Sequence, residues 1–209
     1  MKGSGAASDL GAILLAGGRA SRVGGAAKPL FDVGGRSLLA AAVAAVTDAG
    51  ARPITVASAV LDPDLDVTWV REDPPFGGPV AGAVAVLEAW ADAGAAPEWT
   101  FLLACDLPRA ADVVARLAAD LPLLPADSDG MCLGDPSSRP QWLTGIYRVS
   151  ALRAAAAAMP DRGRDAAVRA LVADLAITVV ATPDDLTSDI DTWEDLERAR
   201  TRAASEERS

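Results

Sequence analysis

Between Leu14 and Lys28 the chain reads Leu-Leu-Ala-Gly-Gly-Arg-Ala-Ser-Arg-Val-Gly-Gly-Ala-Ala-Lys. An apolar run over Gly11–Ala16 ends abruptly in Gly17 and Gly18, and Arg19, Arg22, Gly24, Gly25 and Lys28 follow. Glycines directly after a strand let backbone N–H groups converge on an anion, because no side chain blocks the approach. The two arginines and the lysine add full positive charge to the same loop, so its simplest ligand is a polyphosphate. Lys2 and Lys28 are the only lysines in a chain with 19 Lys+Arg. Generic positive charge is thus supplied by arginine, and Lys28 is the exception in the body of the chain. A compact ammonium is suited to following one phosphate through a reaction, whereas a guanidinium suits fixed, planar recognition. The alternative is an ordinary solvated lysine.

Carboxylates complete the candidate chemistry. Asp106 follows the apolar run Thr-Phe-Leu-Leu-Ala-Cys and precedes Leu107-Pro108. In open α/β sheets ligands bind at the carboxyl ends of the strands. Asp106 is therefore expected on the same rim as the glycine loop, holding Mg²⁺, which takes oxygen ligands and bridges to phosphates; the alternative is an Asx turn before Pro108. Asp189-Ile190-Asp191-Thr192 places two carboxylates on one face of an extended segment. Thr192 can cap a helix with Asp195 at its third position, which is the simpler reading of that segment. Asp73-Pro74-Pro75-Phe76-Gly77-Gly78-Pro79 leads into a helix with Pro79 at its first turn. Histidine is absent from the whole chain, which excludes imidazole bases and His-ligated metals.

These residues have to be placed by secondary structure, and strand-like and helix-like segments alternate along the chain. Strands are expected at Gly11–Ala16, Ile54–Ser58, Val67–Val70, Thr100–Ala104, Gly130–Leu133, Trp142–Tyr147 and Ile177–Ala181. Helices are expected at Leu38–Ala49, Val80–Ala93, Ala111–Asp120, Ala151–Met159, Asp165–Ala173 and Trp193–Arg202. Ser37 is the cap of the first helix, and Gly50 and Gly94 sit where helix C-terminal glycines sit. The alternation implies an α/β fold, a mostly parallel sheet with helices on both faces. The 209 residues suit one such domain, over 10–202, with loose ends at 1–9 and 203–209.

Half of the residues are hydrophobic and the net charge is −10, so a full core is available and non-specific nucleic-acid binding is disfavoured. Six arginines between Arg139 and Arg169 face only Asp161 and Asp165 in sequence, a second place where an anion could be received. No window is apolar enough to span a membrane, and the start lacks a signal-peptide pattern. Cys105 and Cys132 read as reduced core cysteines, and the expected compartment is the cytoplasm.

The loop is neither a Walker A motif, since Lys28 lies between Ala27 and Pro29, nor a Gly-x-Gly-x-x-Gly fingerprint. It resembles the opening loop of the nucleotidyltransferases, Leu-Ala-Gly-Gly-x-x-x-Arg-x-Gly-x-x-Lys, with Leu15 to Gly24 matching position for position and Lys28 arriving one residue later. That Gly-Gly-x-x-Lys form is similar to the molybdenum cofactor guanylyltransferases, and the resemblance runs from about Gly11 to Arg200. It implies a three-layer, Rossmann-like nucleotidyltransferase domain in which Leu15, Ala16, Gly17, Gly18, Arg22 and Lys28 bind a nucleoside triphosphate. Cys105-Asp106-Leu107-Pro108 resembles the family's metal aspartate motif. Asp191 is by the same resemblance the second metal ligand, with Trp193 standing where the family has proline. Asp73, Gly78 and Pro79 are implied near the nucleoside, and Ser58 stands where family members often carry asparagine.

The implied reaction is Mg²⁺-dependent transfer of GMP from GTP to the phosphate of molybdenum-molybdopterin, with release of pyrophosphate and Lys28, Arg22 and Asp106 as the catalytic groups. An Asp-x-Asp pair such as Asp189 and Asp191 also occurs in related cytidylyltransferases, so CTP remains open as donor, as does a sugar phosphate as acceptor. A nucleotide-binding regulatory protein without catalysis is the alternative of another class. A protein that delivers the pterin is a further possible partner.

Overall fold

The computed structural model of the chain describes residues 9–17, 27–182 and 185–206. Strand β1 (Leu10–Leu15) is followed by a short hairpin, β2 (Asp32–Val33) and β3 (Arg36–Ser37), that sequence reading missed. Then come α1 (Leu38–Asp48), β4 (Ile54–Ala57), β5 (Thr68–Val70), α2 (Gly78–Asp92), β6 (Trp99–Ala104) and α3 (Ala110–Asp120). The remainder is β7 (Gly130–Gly134), β8 (Pro140–Arg148), α4 (Val149–Ala157), α5 (Val168–Leu171), β9 (Ile177–Ala181) and α6 (Trp193–Glu206). Seven strands form one sheet in the order β5-β4-β1-β6-β8-β7-β9.

Successive side chains of a strand point to opposite faces, and both faces of this sheet are covered. Ala12 and Leu14 of β1, with Phe101 and Leu103 of β6, pack with α1 and α3. Ile13 and Leu15, with Leu102, pack with α2, α4 and Leu171 of α5. The result is a three-layer α/β/α fold. Near-continuous burial of β1 and β6 follows from this, and it explains why the two strands read as unbroken apolar runs. Ser37 Oγ accepts the Ala40 N–H at 3.1 Å and so caps α1. Gly50 and Gly94, at φ 82° and 68°, close α1 and α2 in the left-handed region.

The sheet is mostly parallel, as expected, and besides the hairpin three details were not read from the sequence. Strand β8 runs antiparallel to both β6 and β7. Only residues 135–139 join β7 to β8, too few for the crossover that a parallel pair requires, and Asp135 organises that turn by accepting the Ser137 and Arg139 N–H groups at 2.9 Å. The helix expected over 165–173 shrinks to Val168–Leu171. Asp165 stands at φ 54°, and its N–H donates to the Gly77 carbonyl at 2.7 Å; the segment docks on the α2 entrance instead of continuing a helix. Residues 203–206, expected to be loose, continue α6; residues 1–8 and 207–209 lie outside the described residues. Among the described residues no helix is long and apolar enough to cross a membrane.

One buried polar bond ties α2 to the sheet. Trp90 Nε1–H donates to Thr55 Oγ1 at 2.8 Å, with Thr55 fully buried. Removing only the acceptor leaves a buried indole N–H without a partner, which costs about 1–3 kcal/mol. Thr55→Val should therefore lower unfolding free energy by roughly that amount in urea titration, and Thr55→Ser should lose less. A Thr55→Val protein as stable as the wild type would show that the bond contributes nothing.

Candidate active site

Strands β5, β4, β1 and β6 are mutually parallel, so their carboxyl ends form one rim. A cleft of about 610 Å³ opens there, lined by Gly17 after β1, Ser58 after β4, Arg71 after β5 and Asp106 after β6, with Lys28 and Pro79 beside them. Leu15 and Ala16 also line it. Many of the residues singled out from sequence thus share one cleft. Gly17 is a position where a side chain would crowd backbone, since a Cβ would stand 3.3 Å from the Ala57 carbonyl oxygen.

Other candidates fall elsewhere. Gly78, at φ 90°, makes the turn into α2 and does not line the cleft. Asp73 faces a separate small hollow shared with Pro74, Arg162 and Arg164. Gly18 and Arg22 lie outside the described residues, as do Arg19, Gly24 and Gly25. The arginine-rich stretch does not collect on one surface. Arg148 pairs with Glu98 at 2.5 Å and lies over Trp99, beside the amino end of β6 and hence at the opposite edge of the sheet. Arg153 donates to the Ala95 carbonyl at 2.8 Å, and Arg162 pairs with Glu88 on α2. Sequence reading missed Arg71, Phe76, Leu61 and Leu143 on the cleft wall; an exposed arginine after a short strand carries no periodicity or motif that would mark it.

Asp106 is the electrostatic centre. Its Oδ1 is buried and accepts no hydrogen bond among the described residues. Burial, first, and the neighbouring Asp189 carboxylate, second, push its carboxyl up to about 6; Lys28 and the local backbone N–H pull the other way, and Asp191 pushes up again. Lys28 Nζ donates to Asp191 Oδ1 at 2.6 Å, with the lysine side chain 17 % exposed and the aspartate 44 %. Lys28 is therefore engaged and mostly covered, not the solvent-facing group that a loop lysine would be.

The segment carrying Asp189 and Asp191 is docked from two sides. The Ile190 N–H donates to the Asp106 carbonyl at 3.0 Å. The Ile190 side chain is buried against Leu38 and Leu196 in a small cluster that also takes Phe31 and Val33. Behind it, Asp195 Oδ2 accepts the Asp191 and Thr192 N–H groups at 3.1 and 2.7 Å, while the Asp195 N–H donates to Thr192 Oγ1 at 3.2 Å. This reciprocal cap starts α6. Cys105 and Cys132 are free and buried; burial pushes both thiols upward, with Asp106 adding to it at Cys105, so both are inert core residues.

The donors around Asp106 fit a hard divalent cation. They are carboxylate oxygens, one of them buried and without a donor among the described residues, and their mutual repulsion is relieved by positive charge. Among the described residues no three such groups stand close enough for a ready-made cage. The arrangement suits an ion that takes part of its shell from substrate phosphate, as Mg²⁺ does.

The raised Asp106 value carries a stability consequence. A carboxyl at about 6 when folded, against 3.8 ordinarily, binds its proton more tightly in the folded state. Stability then falls as pH rises through the interval between the two values, and the loss persists above it. In chelator at pH 8, Asp106→Asn should raise Tm by a few degrees. At pH 4 the gain should vanish, because the wild-type carboxyl is then protonated in the folded state. Calorimetry showing Asp106→Asn less stable than wild type at pH 8 would contradict the burial account.

Known proteins extend this picture. Residues 12–179 match the family model described as MobA-like NTP transferase domain; Asp189 and Asp191 lie beyond that match. The chain is 42 % identical over 114 residues to a molybdenum cofactor guanylyltransferase of Rhodopseudomonas palustris (strain HaA2), covering 51 % of each chain. It is 37 % identical over 119 residues to one of Bradyrhizobium sp. (strain ORS 278), covering 51 % of this chain and 52 % of that one. The chain thus spans about half the length of the curated relatives it matches. Among solved structures, a nucleotidyl transferase from Methanothermobacter thermautotroptrophicus superposes with TM-score 0.68 at 20 % identity, covering 94 % of this chain and 98 % of that one. Molybdopterin-guanine dinucleotide biosynthesis protein A from Archaeoglobus fulgidus gives 0.64 at 17 %, covering 93 % and 98 %. The 2-C-methyl-D-erythritol 4-phosphate cytidylyltransferase from Thermus thermophilus gives 0.61 at 20 %, covering 92 % and 98 %. These structures share the fold, and the family match takes in the sheet and most of the cleft wall: the chain belongs to the MobA-like NTP transferase family.

Proposed function

We propose that this nucleotidyltransferase moves GMP from GTP to the phosphate of molybdenum-bearing molybdopterin and releases pyrophosphate. The observation that carries the reading is the convergence of Gly17, Lys28 and Asp106 on one rim, with Asp191 2.6 Å from the lysine. The guanylyltransferase names of the 42 % and 37 % identical relatives support the choice of nucleotide and acceptor. In this reading residues 10–202 act as one nucleotidyltransferase domain, in a reducing cytoplasm that suits the free Cys105 and Cys132.

An acceptor phosphate is already anionic at neutral pH, so its attack on the α-phosphorus needs no general base, in keeping with a chain that has no histidine. One acceptor oxygen bonds to the α-phosphorus as the α–β bridging bond breaks and pyrophosphate leaves. The chain's own work is positioning and neutralisation of charge. The backbone at Gly17 and Gly18 and the side chain of Arg22 hold the triphosphate. Lys28 exchanges its bond to Asp191 for a phosphate oxygen. Asp106 and Asp191, with Asp189 beside them, would hold Mg²⁺, which when bound would neutralise phosphate charge. The Asp-x-Asp pair at 189–191 gives a cytidylyl transfer on the same pterin its place as second reading.

The direct assay offers GTP, CTP, ATP and UTP with a molybdopterin acceptor and follows pyrophosphate. GTP should be preferred. Faster release with CTP would replace the guanylyl reading, and binding without release for every nucleotide would make the protein a regulator. Asp106→Asn should slow turnover by about 10²-fold or more, as for loss of one electrostatic stabiliser.

Lys28 gives a separate prediction. A guanidinium is bulkier than an ammonium and prefers a fixed planar partner, so Lys28→Arg should lower kcat more than it raises KM for the nucleotide. Lys28→Ala should cost about 10²-fold. Unchanged kcat and KM in Lys28→Arg would show that position 28 needs only positive charge.

A further inference from the structure

The outer end of the cleft carries a pair of side chains that the transfer chemistry does not use. The Arg71 guanidinium lies over the Phe76 ring, 5.1 Å from its centroid, and both residues line the cleft. Phe76 is 50 % exposed and stands at φ 64°. A bulky residue rarely adopts that backbone region unless its surroundings impose it. The loop imposes it here. Glu72 Oε1 accepts the Gly77 N–H at 3.2 Å, Arg164 Nη1 donates to the Pro74 carbonyl at 3.0 Å, and the Asp165 N–H donates to the Gly77 carbonyl at 2.7 Å. An aromatic ring is thus braced in an unfavourable conformation with half of its surface in water. Backbone strain held in place on a cleft wall motivates the hypothesis of a ligand there.

We infer that Arg71, held over the Phe76 ring, reads the acceptor edge of the guanine base of the bound nucleotide; the inference rests on the guanylyl reading above. Stacking occupies the face of a guanidinium and leaves its in-plane N–H groups free to donate. Arg71 forms no hydrogen bond or ion pair among the described residues, so those donors are available to the cleft. Guanine presents O6 and N7 side by side as acceptors, the pattern that matches a guanidinium fork, whereas adenine and cytosine each place an amino donor there.

Position agrees with this assignment. The phosphate groups belong between the ends of β1 and β6, and β5 lies two strands outward from β1. Two strand spacings are about 10 Å, the scale of a nucleoside. Between them the loop after β4 offers the small Ser58, whose own N–H is already given to the Val70 carbonyl at 2.8 Å, so among the described residues the multi-donor group at that end is Arg71.

Calorimetry on the full chain with Mg²⁺ separates the possibilities. Wild type should bind ITP as it binds GTP, since both carry O6 and N7. It should bind 7-deaza-GTP, which has carbon in place of N7, about fivefold more weakly or worse. Arg71→Ala should bind GTP and 7-deaza-GTP equally. Arg71→Lys keeps the charge but not the fork, and should lose GTP affinity as Arg71→Ala does. If Arg71→Lys binds GTP like wild type, Arg71 serves only to attract the triphosphate. If wild type binds 7-deaza-GTP as tightly as GTP, no donor reads N7, whatever the variants do. Either result overturns the assignment. Wild type binding CTP more tightly than GTP overturns the guanylyl reading itself. A GTP preference that survives in Arg71→Ala overturns only the role of Arg71.

Discussion

A buried carboxylate oxygen, Asp106 Oδ1, to which no described residue donates, is the constraint around which the site is built. Water would satisfy it, but burial pushes the carboxyl up to about 6, and the neighbouring Asp189 makes ionisation harder still. Nothing in folding favours such an arrangement, because an apolar or amide side chain would fit the same strand end at lower cost. The surrounding structure therefore has to be rigid enough to impose it. Rigidity comes from β6, buried on both faces between β1 and β8. It comes also from the Ile190 N–H on the Asp106 carbonyl. The β2–β3 hairpin and α6 enclose Ile190 in its own small apolar cluster. Elements that look peripheral thus set the position of the carboxylates.

Lys28 connects this acidic centre to the open cleft. Its 2.6 Å bond to Asp191 keeps a mobile cation beside a cluster that repels itself. When an anion enters, the same cation can turn to it, and the carboxylates are then left for a divalent ion. A chain of net charge −10 can attract a polyanion only where cations are concentrated, and the cleft supplies them at both ends, with Lys28 inside and Arg71 outside. In the proposed reading, the phosphate and base ends of the cleft use different cation chemistry, a point charge where bonds change and a planar fork where the ligand has only to be recognised.

Much of this was legible in the sequence for a simple reason. Gly17 and Asp106 each follow directly on a buried strand, and a residue one or two positions past a strand has little freedom about which rim it occupies. The helix caps at Ser37 and Thr192 were legible because capping is local. What could not be read depends on contacts distant along the chain. An apolar run has no direction, so the reversal of β8 was hidden until the short Asp135–Arg139 turn was seen to forbid a crossover. Asp165 reads as the start of a helix, yet its N–H is taken by Gly77, far back in the chain. Arg71 and Phe76 become a unit only through a loop braced by Arg164 and Asp165. Asp73, close to them in sequence, is turned by that same loop toward a different hollow. The positive stretch from Arg139 to Arg169 spreads because Arg148, Arg153 and Arg162 are each used to tie a different pair of neighbouring segments together.

Binding of a divalent ion to the Asp106 cluster is the central claim, and electron paramagnetic resonance of Mn²⁺ tests it most directly, without depending on which acceptor is supplied. Mn²⁺ titrated into the full chain with saturating GTP should give one bound ion per chain. That ion should be lost in Asp106→Asn and weakened in Asp191→Asn, while GTP itself remains bound to both variants. One Mn²⁺ held with the same affinity by Asp106→Asn would mean that the ion is carried by the nucleotide alone, and that the buried carboxylate serves some other purpose.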